Sequence, residues 1–284
     1  MMSGVGSRVA ARVDQVRRDG HVAAAIASIE EKFGHGAIQR LGATPTSDVQ
    51  VIPIELVELD RIVGVGGLPR GRIVEVLGPE SAGVSTLLLH AVAAAQRRGG
   101  IAALIDVDRG FDPEYARRIG IDLSSLFIAQ PDDGAMALEI VDALVRSTAF
   151  DLVAVDSVAA LEPPDQTDTD AISSRGARQG RLLSEALRRL AAGVDRTRTV
   201  LLFGNRTTPA ADDDLKDQAS GGRALPFYAS VRIGLMKRDL IREMFGIVGT
   251  QVEATTIKNK VAPPLRVATL DLMFGKGFVQ HQAG

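Results

Sequence analysis

"GPESAGVST", residues 78–86, decides how this chain is read. It matches the phosphate-loop pattern G-x-x-x-x-G-K-[ST] at Gly78, Gly83 and Ser85, but Val84 stands where the pattern has lysine. The flanks suit such a loop: "RIVEVL" (72–77) reads as a strand and "TLLLHAVAAAQRR" (86–98) as a helix. In that context glycines let main-chain N–H groups curl round phosphate oxygens at a helix N-terminus, where unpaired donors and the helix dipole favour anions. These donors belong to the backbone of Gly78, Pro79, Glu80, Ser81, Ala82, Gly83, Val84, Ser85 and Thr86 (proline excepted), so they survive the loss of the lysine. Ser85 or Thr86 offers a hydroxyl to Mg²⁺, and "LVAVDS" (152–157) supplies Asp156 at the end of an apolar run as a second oxygen ligand. The loop therefore reads as a site for the phosphates of a nucleotide, with Mg²⁺ as cofactor.

Working outward, short β-rich runs alternate with helical stretches from about residue 50. "IAALIDV" (101–107), "SLFIAQ" (125–130), "DLVAVDSVAAL" (151–161) and "TVLLFGN" (199–205) read as strands. The near-continuous apolar character of the last two is typical of parallel strands covered on both faces. "DPEYARRIG", "GAMALEIVDALVRS" and "GRLLSEALRRLAAG" read as the intervening helices. The alternation predicts an α/β fold with a mainly parallel central sheet. After residue 226, "FYASVRIGLM", "TQVEATTIK" and "RVATLDLMF" are expected to extend the sheet as antiparallel pairs. Upstream, "HVAAAIASIEEKFG" places Val22, Ile26, Ile29 and Phe33 at helical spacing, and "LGATPTSDVQ" reads as a linker. We therefore divide the chain into an N-terminal helix and linker, 1–45, and a nucleotide-binding core, 46–284. The helix's apolar stripe packs either on its own core or on another protomer.

Composition narrows the classes. A net charge of −2 gives no global positive field, so contact with nucleic acid has to be local. There are no cysteines, which removes disulfides, thiolate metal sites and thiol nucleophiles, and the four histidines have no ligand spacing. No apolar run approaches the ~18 residues of a membrane helix, and no signal peptide is evident, so a soluble cytoplasmic protein is expected.

The segments "IEEKFGHGAIQRLG", "GGLPRGRIVEVLGPESAG", "DPEYARRIG", "VDSVAAL", "ALPFYASVR" and "IKNKVAPP" together closely resemble the bacterial RecA recombinase family, in the family's order across roughly residues 20–278. The resemblance implies a RecA-like P-loop NTPase core whose protomers form a helical filament in DNA repair and recombination, homomeric or mixed with another RecA-like protein. The N-terminal helix would dock on the neighbouring subunit. ATP would bind between protomers, and two loops would hold single-stranded DNA inside the filament. It also implies that Asp112 and Tyr115 contact adenine and that Lys258 and Lys260 reach the phosphates of the adjacent protomer. No counterpart of the family's usual C-terminal domain is expected.

Three departures cluster around one phosphate. Besides Val84, Asp108 stands where the family has the glutamate that activates the attacking water, and Arg206 replaces the glutamine that senses the γ-phosphate. Losing one preorganised charge stabiliser typically removes about 10²–10³ in rate. A carboxylate one methylene shorter retreats from the water it must reach. Impaired hydrolysis is expected, with Arg206 placed to bring a positive fork near the vacated charge. The alternative is a catalytically inactive paralogue that caps or regulates a recombinase filament or serves another repair complex.

For DNA, the first candidate loop spans about 163–175 and leads into Arg175, Arg178 and Arg181, which share roughly one helical side. The resemblance matches Arg181 to a DNA-contacting arginine. The second loop, 207–222, retains Gly221 and Gly222 but carries Asp212, Asp213, Asp214 and Asp217 against Lys216. That sign, with no aromatic for base stacking, predicts weakened binding of single-stranded DNA.

Overall fold

The structure, a computed structural model, describes residues 3–38, 49–162, 172–207, 220–244 and 246–279. The backbone divides into two compact units, Met1–Asp48 and Val49–Gly284. The first carries helix α1, Ser3–Phe33. It begins well upstream of the stretch its periodicity marked, because Val9, Val13 and Val16 continue the spacing across the intervening arginines. Val22 and Phe33 are exposed, while Ile26 and Ile29 are half-buried.

In the second unit the order is β1 (Val51–Ile52), α2 (Val57–Val63), β2 (Leu68–Pro69), β3 (Ile73–Gly78) and α3 (Val84–Arg97). Next come β4 (Ala102–Asp106), α4 (Pro113–Ile119), β5 (Phe127–Ala129), α5 (Gly134–Arg146) and β6 (Leu152–Asp156). The chain continues through α6 (Ile172–Thr197), β7 (Val200–Arg206), α7 (Ala224–Tyr228), β8 (Val231–Glu243), β9 (Gly246–Asn259), β10 (Val267–Met273) and β11 (Gly277–Val279).

Nine of these strands form one sheet in the order β11-β10-β9-β8-β3-β7-β6-β4-β5. From β8 to β5 the pairing is parallel, and from β8 to β11 it is antiparallel. The α/β class and the mainly parallel centre agree with the sequence reading. One detail differs. Phe227 and Tyr228 lie in α7 rather than at the start of a strand, since Pro226 is tolerated in the first turn of a short helix. The late strands pair antiparallel as expected, β8 with β9 and β9 with β10, and β8 joins them to the core parallel to β3.

The central strands are apolar on both faces because helices cover both. One core contains Val74, Val76, Leu88, Val92, Leu104 and Leu202; the other contains Ile105, Val153, Val155, Leu187, Leu201 and Phe203. Alternate residues of β3, β4, β6 and β7 thus point to opposite layers, as a two-residue strand period dictates. The parallel strands all end on one side of the sheet, and the loops that follow them, at residues 78, 106, 156 and 206, meet there.

Candidate nucleotide site

The site is built first from main chain. β3 ends at Gly78, where an added Cβ would lie 2.6 Å from the Leu235 carbonyl oxygen of β8, so only glycine fits between these strands. The Gly78 carbonyl accepts from Thr207 N–H at 3.0 Å, which ties the loop to the end of β7. The turn closes through Ala82 N–H to Pro79 O at 3.1 Å, and Gly83 caps α3 at φ +91°. Leu87 N–H donates to Gly83 O at 2.9 Å, so the amides of Val84, Ser85 and Thr86 precede the helical ladder and face the loop's concavity. Residues 78–81, 83–86 and Arg206 line the resulting cavity of about 160 Å³.

Val84 is folded into the structure instead of reaching across the loop. It is 8% exposed and belongs to the core around Leu88. Its Cγ1 would lie 3.2 Å from a Cβ placed on Gly204 of β7. The charge of the expected lysine is therefore missing, but no hole marks its place.

Ser85, at the start of α3, and Asp156, at the end of β6, stand near each other. Burial pushes the Asp156 carboxyl up to about 6, with Asp108 and Asp106 adding to the rise, while the Ser85 hydroxyl and Arg206 oppose it. A hydroxyl and a carboxylate near each other beside a phosphate cradle fit Mg²⁺, which binds through few protein oxygens and completes its shell with phosphate and water. No cluster of three or more His, Cys, Asp or Glu suited to a metal occurs among the described residues.

The other two departures meet each other. Arg206 Nη2 lies 3.0 Å from Asp108 Oδ2, with side chains 54% and 24% exposed. Asp108 follows a residue that the sequence reading missed: buried Asp106, at the end of β4. Its carboxylate accepts from Gly110 N–H (3.0 Å), Phe111 N–H (3.2 Å) and Gln130 Nε2 (2.8 Å), fixing the turn that carries Asp108. An aspartate ending the run "AALID" was the available signal.

Asp112 caps α4, its carboxylate accepting from the N–H groups of Glu114 and Tyr115. Tyr115 is half-buried, and its hydroxyl is 3.0 Å from Thr86 Oγ1, so both residues border the start of α3. Lys258 and Lys260 lie elsewhere. Lys258 pairs with Arg232 in the sheet, whereas Gly78 is level with Leu235, whose partner on β9 is Ala254. Four residues of strand put Lys258 about 13 Å from that level, toward the opposite end of the sheet. Its ammonium donates to Pro226 O (2.6 Å) and Phe227 O (3.0 Å) at the end of α7. Burial, then Lys260 and Arg232, lower its pKa. Lys260 is exposed.

Beneath the site lies a second feature the sequence reading missed. Glu75 of β3 is fully buried between Arg232 of β8 (Nε to Oε2, 2.5 Å) and Asn205 of β7 (Nδ2 to Oε1, 2.8 Å). Asn205 Nδ2 also donates to Ser220 O at 3.0 Å, joining this triad to the chain that returns from the second candidate loop.

Of the candidate DNA residues, Arg178 and Arg181 are exposed one helical turn apart on α6. Gln179 Nε2 donates to Val158 O at 2.8 Å. Gly221 is buried where an added Cβ would meet Leu183 at 2.6 Å and Val158 at 2.9 Å, while Gly222 is exposed. The chain leaving β6 and the chain returning to α7 thus meet on one patch of α6. The side chain of Arg175, the loop residues 163–171 and the acidic residues 208–219 lie outside the described residues. No helix among the described residues is long and apolar enough to cross a membrane.

Comparison with known proteins adds a lineage to this geometry. The family model "RecA N-terminal domain" matches residues 20–279. Protein RecA of Streptomyces avermitilis is 45% identical over 256 residues, covering 89% of this chain and 68% of the relative. Protein RecA of Tropheryma whipplei is 44% identical over 273 residues, covering 95% and 62%. That of Clavibacter michiganensis is 45% identical over 262 residues, covering 92% and 72%. The chain thus spans about two thirds of the length of these relatives. Among solved structures, a crystal structure of the RadB recombinase superposes with a TM-score of 0.60 at 19% identity, covering 82% of this chain and all of that one, a likeness of fold.

Proposed function

Because this chain belongs to the bacterial RecA family, we propose that it is a nucleotide-dependent DNA recombination and repair protein whose site binds Mg²⁺·ATP but hydrolyses it poorly. The observation that carries this reading is the lysine-free cradle with the Arg206–Asp108 pair at its rim. Binding draws on the main-chain donors of the loop, on Ser85 and Asp156 for the metal, and on Arg206 as a cation. Turnover suffers because Asp108, one methylene shorter than the glutamate of the family, stands back from the water it would activate. Asp112 and Tyr115 border the adenine end of the site.

Assembly completes the reading. Lys258 and Lys260, at the sheet end away from their own loop, suit contact with a neighbouring protomer's phosphates. The exposed Val22 and Phe33 of α1 suit docking on a neighbour. The first 45 residues then serve as an oligomerisation segment, in a filament of this chain alone or mixed with another RecA-like protein. Arg178 and Arg181 hold single-stranded DNA by its phosphates, with Gly221 and Gly222 shaping the second loop's return. The acidic residues 212–217 weaken that hold.

The same pair supports a second reading, a hydrolytically silent relative that caps or regulates a recombinase filament. ATP turnover by the full chain, with and without single-stranded DNA and beside Val84→Lys, tests both. We expect low turnover that DNA raises little and that Val84→Lys fails to restore, because the added lysine leaves the carboxylate at 108 as short as before. Brisk DNA-stimulated turnover by the unaltered chain contradicts the proposed impairment.

A further inference from the structure

The cavity at the end of β3 has one cationic side chain in its lining, Arg206, and that cation already has a partner of its own. The two halves of the pair are held differently. Asp108 stands on a turn fixed by three hydrogen bonds to the buried Asp106 carboxylate. Arg206 ends its strand with a side chain 54% exposed, free to rotate about its long stem. The attraction between them is screened by solvent, so a doubly charged terminal phosphate in the cavity is a stronger acceptor for the same planar fork. Val84 supplies no competing charge, and the carboxylate that Arg206 pairs with in the structure is that of Asp108.

We infer that Arg206 and Asp108 form an exchange pair: the terminal phosphate of a nucleoside triphosphate draws Arg206 off Asp108, and a diphosphate does not. This inference rests on the reading of the cavity as a nucleotide site and adds how that site tells triphosphate from diphosphate. Asp108 is then a specificity determinant acting through Arg206. It holds the arginine back until a terminal phosphate arrives, and it is unmasked only in the triphosphate-bound state.

The sign of one substitution separates exchange from plain repulsion between a carboxylate and a phosphate. With the pair acting by exchange, Asp108→Asn removes the competitor and raises affinity for a non-hydrolysable ATP analogue with magnesium by about threefold to fivefold. ADP affinity changes less than about twofold, and in an Arg206→Gln background the triphosphate gain disappears. Under repulsion alone the gain persists or grows in that background, because the screening cation has gone. Calorimetric titration of the full-length chain, its Asp108→Asn and Arg206→Gln variants and the double variant reads all of this without reference to turnover. Asp108→Ala, which removes the same acceptor, provides a second route to the gain. A loss or no change in triphosphate affinity on removing Asp108, an equal gain for ADP, or a gain that survives Arg206→Gln overturns the exchange while leaving nucleotide binding intact. An unaltered chain that takes neither nucleotide overturns both this inference and the reading beneath it.

Discussion

Two arginine–carboxylate pairs involve the central strands, one between β8 and β3 and one between the end of β7 and the turn after β4, and they differ in almost everything but chemistry. Arg232 and Glu75 are 8% and 0% exposed, joined at 2.5 Å and backed by Asn205. Arg206 and Asp108 are 54% and 24% exposed, joined at 3.0 Å, with the phosphate cradle beside them. Burial makes the first pair part of the framework: breaking it leaves a buried charge with only the neutral Asn205 amide beside it. Exposure makes the second exchangeable, since solvent has already weakened its attraction. The same two functional groups thus hold β3 between its neighbours in one place and face a ligand in the other.

The largest expected effect is on the buried pair. Arg232→Ala should lower unfolding free energy by about 3–5 kcal/mol, because Glu75 is left as an uncompensated buried charge. Denaturant titration checks it, and a loss under about 1 kcal/mol breaks the contrast between framework and rim. Acid probes the framework at another point. His90 of α3 is buried, and its Nε2 accepts from Phe278 N–H of β11 at 2.9 Å, which requires the neutral ring. Burial, aided by Arg97, lowers its pKa from the ordinary 6.5 to about 4. The unfolded chain therefore binds this proton first as pH falls. The stability that His90 contributes is whole above about pH 6.5 and is lost progressively toward pH 4, on the order of 3 kcal/mol in all. In His90→Gln that part of the stability–pH curve should flatten. The smallest effect is at the rim: Arg206→Gln should change unfolding free energy by about 1 kcal/mol or less, since its partner remains half-solvated.

How far the sequence revealed this depends on whether each feature is local. β6 and β7 were legible because both faces are covered, so the residues themselves are continuously apolar. The cradle was legible because its glycines and helix start lie within nine residues, 78–86. The Glu75 triad was not: its partners lie 130 and 157 positions away, and only the folded sheet brings them together. Asp106 reads as the polar end of a strand until the turn that it anchors is seen. Arg206 and Asp108 were each singled out, yet their contact spans 98 positions and leaves no periodic trace. The aromatic run at Phe227 and Tyr228 misled, because β-prone residues after a proline were compatible with either element, and α7 won.

The account stands on one claim, that Arg206 has taken over the charge that Val84 no longer provides. Calorimetric titration of Mg²⁺·ATP into the full chain and into Arg206→Gln tests it most directly. The prediction is saturable binding by the unaltered chain and at least about tenfold weaker binding by the variant, as expected for loss of a charge-assisted contact to phosphate. Equal affinity in the two proteins, or no uptake by either at millimolar nucleotide, contradicts it.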